Sequence, residues 1–131
     1  MTASQMETSY RAYLDCLNRR DWDRLSDFVA PNVEHNGQNL GLEGYRRMLE
    51  ADVAAIPDLR FQLELLLCQP PRLGARLSFD CTPVGMLFDL PVNGKRVQFT
   101  ENVFYELENL RIRQVWSVID KAAIAAAVCS G

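Results

Sequence analysis

The feature that most constrains this chain is a change in the spacing of its apolar residues near Pro57. Before Pro57, apolar side chains recur every three or four positions, which is typical of amphipathic helices. After it, apolar and polar residues alternate, which is typical of strands with one buried face. Helices followed by strands predict an α+β fold, in which helices cover one face of a curved antiparallel sheet.

Three helical segments are predicted in the first part. The first begins at a capping-box pattern over residues 4–7, with Ser and Glu three positions apart. Asp21 is expected to cap a short second helix, and a third helix is expected over residues 42–56. A short extended piece, residues 33–36, lies between the last two.

Four strands and a closing helix are predicted in the second part. Two strands cover residues 61–67 and 76–81, and a hairpin from Arg96 to Asp120 turns near Glu108. The loop between the second strand and the hairpin, residues 83–94, is apolar, and we expect it to lie over a cavity. In the hairpin, we expect the inward faces to carry Val97, Phe99, Glu101, Val103 and Tyr105 on one strand and Ile112, Gln114, Trp116, Val118 and Asp120 on the other.

Length and charge exclude several classes of protein. A chain of 131 residues has room for one domain, predicted to span residues 1–131. The net charge is −3 without a basic run, so no nucleic-acid partner is expected. No stretch approaches the ~18 apolar residues that cross a bilayer, and the polar residues 1–7 lack the apolar core of a signal peptide. A cytoplasmic protein without membrane contact is predicted.

Cysteine spacing and motif content give no sign of a metal or cofactor. The four cysteines are far apart and His35 has no cysteine neighbour, which argues against zinc. Nucleotide, phosphate and metalloprotease motifs are absent. We therefore expect no cofactor and chemistry by side chains alone. Buried free thiols are expected at Cys16, Cys68, Cys81 and Cys129.

Asp120 is the first of three polar residues that interrupt apolar faces. Behind Trp116 and Val118, a buried carboxyl group would lose solvation and its pKa would rise toward the range useful for proton transfer. The alternative is structural, because Asp120 directly precedes the Ala-rich closing segment and can cap that helix.

Glu101 and His35 are the other two polar residues that interrupt apolar faces. With the turn at Glu108, Glu101 lies opposite Trp116 and roughly 13 Å from Asp120, which suits a substrate-orienting group. The alternative is an ion pair with an arginine or a contact with Gln114. His35, the single histidine, can act as acid or base, or can simply be solvated beside its turn.

A further set of residues is expected to bind a flat aromatic ligand. Its aromatic members can equally be plain core residues. The predicted substrate-binding residues are Tyr13, Trp22, Tyr45, Phe79, Asn102, Gln114 and Trp116.

Five segments in sequence order resemble the SnoaL-like polyketide cyclases. They are residues 33–37, 41–45, 56–59, 93–97 and 112–120, the last ending in Trp116-Ser-Val-Ile-Asp120. The resemblance implies a cone of the nuclear transport factor 2-like type that pairs as a homodimer through its outer sheet face. On that face it would bury Phe104, Val115 and Ile119.

The resemblance also implies a chemistry. An aspartate at the place of Asp120 would act as acid and base in an aldol-type ring closure, without metal or coenzyme. Glu101 would lie on the pocket wall and His35 near its mouth, while Glu101 or Asn102 stands near the place of the cyclases' catalytic histidine. The expected substrate is an aromatic or lipophilic ketone. The alternatives are a binding module without chemistry and an isomerase or hydrolase of the same fold.

Overall fold

A computed structural model describes residues 1–92 and 94–129, with the Cys129 side chain left out. Asn93, part of one family-like segment, and the thiol expected at Cys129 lie outside this description. The elements in chain order are α1 (Ala3–Asn18), a 3₁₀ helix (Trp22–Asp27), β1 (Val29–His35), β2 (Gln38–Asn39), α2 (Gly41–Ala55), β3 (Gln62–Gln69), β4 (Arg72–Cys81), β5 (Met86–Leu87), β6 (Leu90–Pro91), β7 (Val97–Glu108), β8 (Arg111–Ile119) and α3 (Lys121–Cys129).

The helix caps differ in detail from the sequence-based prediction. The capping box of α1 is formed by Thr2 and Gln5, each side chain accepting from the other residue's amide, so the predicted start is two residues late. Both box patterns fit the local sequence, and the one nearer the N-terminus gains an extra half-turn of helix. Asp21 precedes the 3₁₀ helix but makes no side-chain cap.

The large sheet has six strands in the order β2-β1-β8-β7-β4-β3. All of its pairings are antiparallel except that of β1 with β8, which is parallel. The extended piece before α2 therefore belongs to the sheet. The α+β prediction is confirmed, with one parallel pairing added to the antiparallel sheet.

A bulge in β8 changes which side chains face inward. Glu106 pairs with Gln114 but Leu107 pairs with Ile112, so Arg113 is one extra residue on β8. Because side chains alternate along a strand, one extra residue moves every later side chain to the other face. Ile112 faces the core as predicted, but beyond the bulge the predicted faces are wrong. Val115, Ser117 and Ile119 face inward, and Gln114, Trp116 and Val118 face outward.

A second bulge acts in the same way in β3. Leu63 pairs with Leu77 and Leu65 with Arg76, so the register shifts at Glu64. Leu65 and Leu67, predicted to be inward, are 61% and 75% exposed. The core takes Leu66 and Cys68 from this strand instead.

The core lies between the inner sheet face and helices α1 and α2. It includes Cys16 and Cys81 as buried free thiols, whereas Cys68 is half-buried, and these three thiols follow the sequence prediction closely. None of the described helices is long and apolar enough to cross a membrane.

Candidate active site

A cavity of about 530 Å³ lies between the inner sheet face and helices α1 and α2. Most of its wall is aliphatic or aromatic, which is usual for small-molecule sites. The turn between β5 and β6 contributes Leu87 and Phe88 to the wall, so the apolar loop does lie at a cavity as predicted. The polar side chains on the wall are few, and each has a defined position.

Glu101 is the polar residue in the middle of the β7 face. It stands between Phe99 and Val103, which both line the cavity. Burial raises the pKa of the Glu101 carboxyl, while a hydrogen bond from the Ser117 hydroxyl lowers it. The carboxylate is therefore held in an apolar wall with one donor supporting its charged form.

Ser117 is brought to Glu101 by the bulge in β8 and by Asn36. The Asn36 side chain accepts from the Ser117 amide at 2.8 Å and donates to its carbonyl at 3.3 Å. This link continues the β1–β8 pairing past His35. The backbone at Ser117 is held by β7 on one side and by the Asn36 side chain on the other. The Ser117 hydroxyl therefore points inward, to Glu101.

Asp52 is the second carboxyl group on the wall, and it comes from α2. Burial first, and the charge of Glu101 second, raise its pKa from 3.8 to about 6. Asp52 lines the same cavity as Glu101, whose charge disfavours the ionisation of Asp52.

His35 lines the cavity where β1 ends. Burial lowers the pKa of its imidazole, so the ring is neutral at physiological pH. Its ring centroid is 6.3 Å from that of Tyr45, in an edge-on arrangement. A neutral imidazole beside the cavity can donate or accept a hydrogen bond without adding charge.

Four buried tyrosines form two hydroxyl pairs beside the cavity. Tyr13 and Tyr45 hydroxyls are 2.7 Å apart, and those of Tyr10 and Tyr105 are 3.0 Å apart. Tyr13, Tyr45 and Tyr105 line the cavity, and Tyr10 does not. Burial raises the pKa of all four, so they remain neutral hydrogen-bonding groups.

The predicted site residues divide into two groups. Glu101, His35, Tyr13, Tyr45 and Phe79 all line the one cavity. Phe79 stacks on Phe99 with centroids 4.9 Å apart.

Asp120 belongs to the second group, and its predicted inward placement is wrong. It is exposed, lies in shallow grooves outside the cavity, and accepts a hydrogen bond of 3.2 Å from the Ala123 amide at the start of α3. The bulge at Arg113 is the reason, because it places Ile119 inward and the next side chain, that of Asp120, outward. The structural alternative, a helix cap, matches this contact. Its acid/base role stays a prediction without the support of burial.

Four predicted substrate-binding residues also lie elsewhere. Trp116 is 40% exposed and Asn102 is exposed beside Arg76, both on the outer sheet face. Gln114 points outward after the bulge, and Trp22 lines a separate groove between the 3₁₀ helix and α2. Predicting that these four side chains reach the cavity was therefore wrong.

Sequence reasoning missed Asp52 and Ser117. Asp52 carries a usable signal, because Tyr45, Leu49, Asp52 and Ile56 follow one helical stripe and three of them are buried. Ser117 carries a weaker signal, since both faces of β8 are apolar and only the bulge decides between them.

Comparison with known proteins places this chain in a family. The profile of the SnoaL-like polyketide cyclase family matches residues 7–128. A crystal structure described as a SnoaL-like polyketide cyclase from Agrobacterium tumefaciens is 56% identical, covering 96% of this chain and 98% of that chain with a TM-score of 0.92.

More distant structures share the fold. TsrD from Streptomyces laurentii is 20% identical, with 98% and 97% coverage and a TM-score of 0.87. IdmH from Streptomyces antibioticus is 16% identical, with 95% and 99% coverage and a TM-score of 0.83. No protein with a curated description matches the sequence. From the profile match and the 56% identity, the chain belongs to the SnoaL-like polyketide cyclase family.

Proposed function

We propose that this protein is a cofactor-free cyclase that closes a ring by an aldol-type reaction on a small polyketide-like ketone. The observation that carries the proposal is a pair of carboxyl groups, Glu101 and Asp52, with raised pKa values in one apolar cavity. Two carboxyl groups in one cavity, of which only one has a hydrogen-bond donor to its charged form, can supply a base and an acid for the same reaction. The 56% identity to a protein described as a SnoaL-like polyketide cyclase supports the same reaction class.

Glu101 is proposed as the base. The Ser117 hydroxyl supports its charged form, so it accepts a proton from the carbon next to a substrate carbonyl. That carbon then forms the new bond to a second carbonyl carbon of the same substrate.

Asp52 is proposed as the acid. Its pKa of about 6 leaves a useful protonated fraction near neutral pH, and it donates that proton to the oxygen of the attacked carbonyl, which becomes a hydroxyl. One proton enters Glu101 and one leaves Asp52, so the pair keeps its total charge. His35 assists as a neutral hydrogen-bonding group beside the reacting oxygens.

The substrate class follows from the walls. Tyr13, Tyr45 and Phe79 give a ring-lined space that suits an aromatic or lipophilic ketone. A cavity of about 530 Å³ holds a small multi-ring molecule.

The proposal includes a homodimer formed through the outer sheet face. Phe104 pairs with Trp116 across β7 and β8, and Gly74 lies between Leu67 and Phe104, so these side chains cross the face in one row. Leu65 and Val118 adjoin that row. We call these five side chains the outer-face patch: Leu65, Leu67, Phe104, Trp116 and Val118, which are 40–75% exposed. A contiguous apolar area of this kind usually marks an interface.

Of the outward residues expected from the resemblance, only Phe104 belongs to this patch, because Val115 is buried and Ile119 lines the cavity. The proposed location is the cytoplasm, and the buried free thiols of Cys16 and Cys81 suit a reducing compartment.

The test is proton exchange at the carbon next to a carbonyl. Phenylacetone in D₂O is followed by NMR with the purified protein. We expect the protein to accelerate exchange and Glu101→Gln to lower that acceleration about 100-fold or more. Glu106→Gln is the matched control, since Glu106 is on the same strand but pairs with Arg72 and Arg113 outside the cavity.

Asp120→Asn separates this proposal from the one based on sequence alone. We expect it to keep the exchange rate, because the residue lies outside the cavity and an amide oxygen still caps α3. Exchange that survives Glu101→Gln but is lost in Asp120→Asn would overturn the assignment. Ketone binding without any exchange would leave a binding module.

A further inference from the structure

The tyrosine pair at the cavity has more hydrogen-bond donors than partners. Tyr13 and Tyr45 carry two hydroxyl protons, and their mutual hydrogen bond of 2.7 Å uses one. Within residues 1–92 and 94–129, neither hydroxyl has another hydrogen-bond partner. One donor in the wall of an apolar cavity is therefore left for a ligand.

Either hydroxyl can be the donor of the shared hydrogen bond, and the other hydroxyl then keeps the unused proton. Both side chains line the cavity, so the free donor belongs to the cavity wall in either arrangement. Burial raises the pKa of both groups, which keeps both protons in place.

The other pair makes a useful contrast. Of the Tyr10–Tyr105 pair, only Tyr105 lines the cavity, so this pair has a free donor there in only one of its two hydrogen-bond arrangements. The Tyr13–Tyr45 pair has a free donor on a cavity-lining side chain in both arrangements.

We propose that the Tyr13–Tyr45 hydroxyl pair is a carbonyl-binding site, in which the hydroxyl with the unused proton donates a hydrogen bond to a ketone oxygen of the ligand. The hydroxyl that donates within the pair holds the other in place and strengthens the bond that the other gives. Tyr45 lies beside His35, and both tyrosines share the cavity with Glu101. The ligand class is therefore a ketone whose oxygen meets this pair while its neighbouring carbon faces Glu101.

This inference extends the proposed function in one respect, the stabilisation of the enolate. When Glu101 takes the proton from carbon, the electron pair of the C–H bond moves to the ketone oxygen. Glu101 becomes neutral as the oxygen becomes negative, so the total charge does not change. A neutral donor aimed at that oxygen stabilises the charge that develops there.

Binding of a ketone and a hydrocarbon of similar shape tests the site without any reaction. The probes are 2-acetylnaphthalene and 2-ethylnaphthalene, with dissociation constants measured by fluorescence titration. The wild-type protein is expected to bind the ketone more tightly. The double variant Tyr13→Phe/Tyr45→Phe removes both hydroxyls, because either hydroxyl alone would keep a free proton at the cavity. It is expected to weaken ketone binding about 3- to 10-fold, the range of one net hydrogen bond, and to leave hydrocarbon binding unchanged.

Ser9→Ala is the control, because it removes a hydroxyl on α1 that bonds the Leu110 carbonyl outside the cavity, and it is expected to change neither constant. The carbonyl stretching band of bound, ¹³C-labelled ketone gives a second readout. It is expected at lower frequency in the wild-type protein than in the double variant.

Equal losses for both probes in the double variant, an unchanged ketone constant, or no preference of the wild-type protein for the ketone would overturn the proposal. Its failure is distinguishable from failure of the proposed function. Glu101→Gln is expected to keep the ketone preference while losing exchange, so each result can be lost without the other.

Discussion

Asp52 and Glu101 show how single residues acquire chemistry from their surroundings. Both carboxyl groups have raised pKa values, mainly because burial removes water from the charged form. They differ in one contact, the hydroxyl of Ser117, which supports the charge of Glu101 only. This difference is the reason why Glu101 is proposed as the base and Asp52 as the acid.

Asp52→Asn gives a prediction for the dependence of stability on pH. The folded protein keeps a proton on Asp52 up to about pH 6, whereas the unfolded chain releases it near pH 3.8. The free energy of unfolding therefore falls as pH rises through this window, and it is lower above pH 6 by up to roughly 3 kcal/mol. Asp52→Asn is expected to remove that loss, so the variant is the more stable protein at pH 8.

Urea unfolding at pH 4, 6 and 8 measures the effect. The matched control is Glu50→Gln on the same helix, since Glu50 is an exposed partner of Arg46. Parallel stability profiles for Asp52→Asn and the wild-type protein would show that Asp52 does not keep a proton in the folded state.

At the scale of the elements, two β-bulges decide which side chains line the cavity and which face outward. The bulge at Arg113 brings Ser117 to Glu101 and turns Trp116 outward, and the bulge near Glu64 turns Leu65 and Leu67 outward. The cavity wall and the outer-face patch are thus two results of the same pair of one-residue insertions.

Deleting Arg113 is expected to keep the inward face of β8. Without Arg113, Gln114 follows Ile112 directly and still pairs with Glu106, so regular alternation leaves Val115 and Ile119 inward. Arg113→Ala is the matched control, because it keeps the bulge and loses the same ion pairs with Glu106 and Glu108, worth about 1 kcal/mol or less. Chemical denaturation measures both, and a deletion variant less stable than Arg113→Ala by about 3 kcal/mol or more would contradict the assignment of Arg113 as the extra residue.

At the scale of the whole molecule, the sheet has two apolar faces with different uses. The inner face builds the core and the cavity, whereas the outer-face patch has no covering element within the described residues. A second copy of the chain would remove this area from water.

Phe104→Glu tests that assembly. Sedimentation velocity of the wild-type protein at micromolar concentration is expected to show a dimer. The variant is expected to be a monomer, because a charge in the middle of the patch would be buried without a partner. Val84→Glu is the control, since Val84 is 48% exposed but lies in a loop away from the sheet. A monomeric wild-type protein would refute the proposed dimer.

Much of the architecture was predictable because periodicity is a local property. Residues three or four apart already meet on one helix face, and residues two apart share one strand face. This is why the helical segments and the inward face of β7, including Glu101 and Tyr105, agree with the structure. His35 was singled out by its residue type, and the fold brings it to the same cavity.

Local sequence by itself thus determined the α+β class, the family resemblance and the presence of Glu101 on an apolar wall. Only the tertiary structure decided that Asp52 joins Glu101 and that Asp120 caps α3 outside the cavity. The physical reason is that a bulge is defined by pairing between two strands. One unpaired residue at Arg113 exchanges the faces of β8, and both faces are apolar enough to fit either choice.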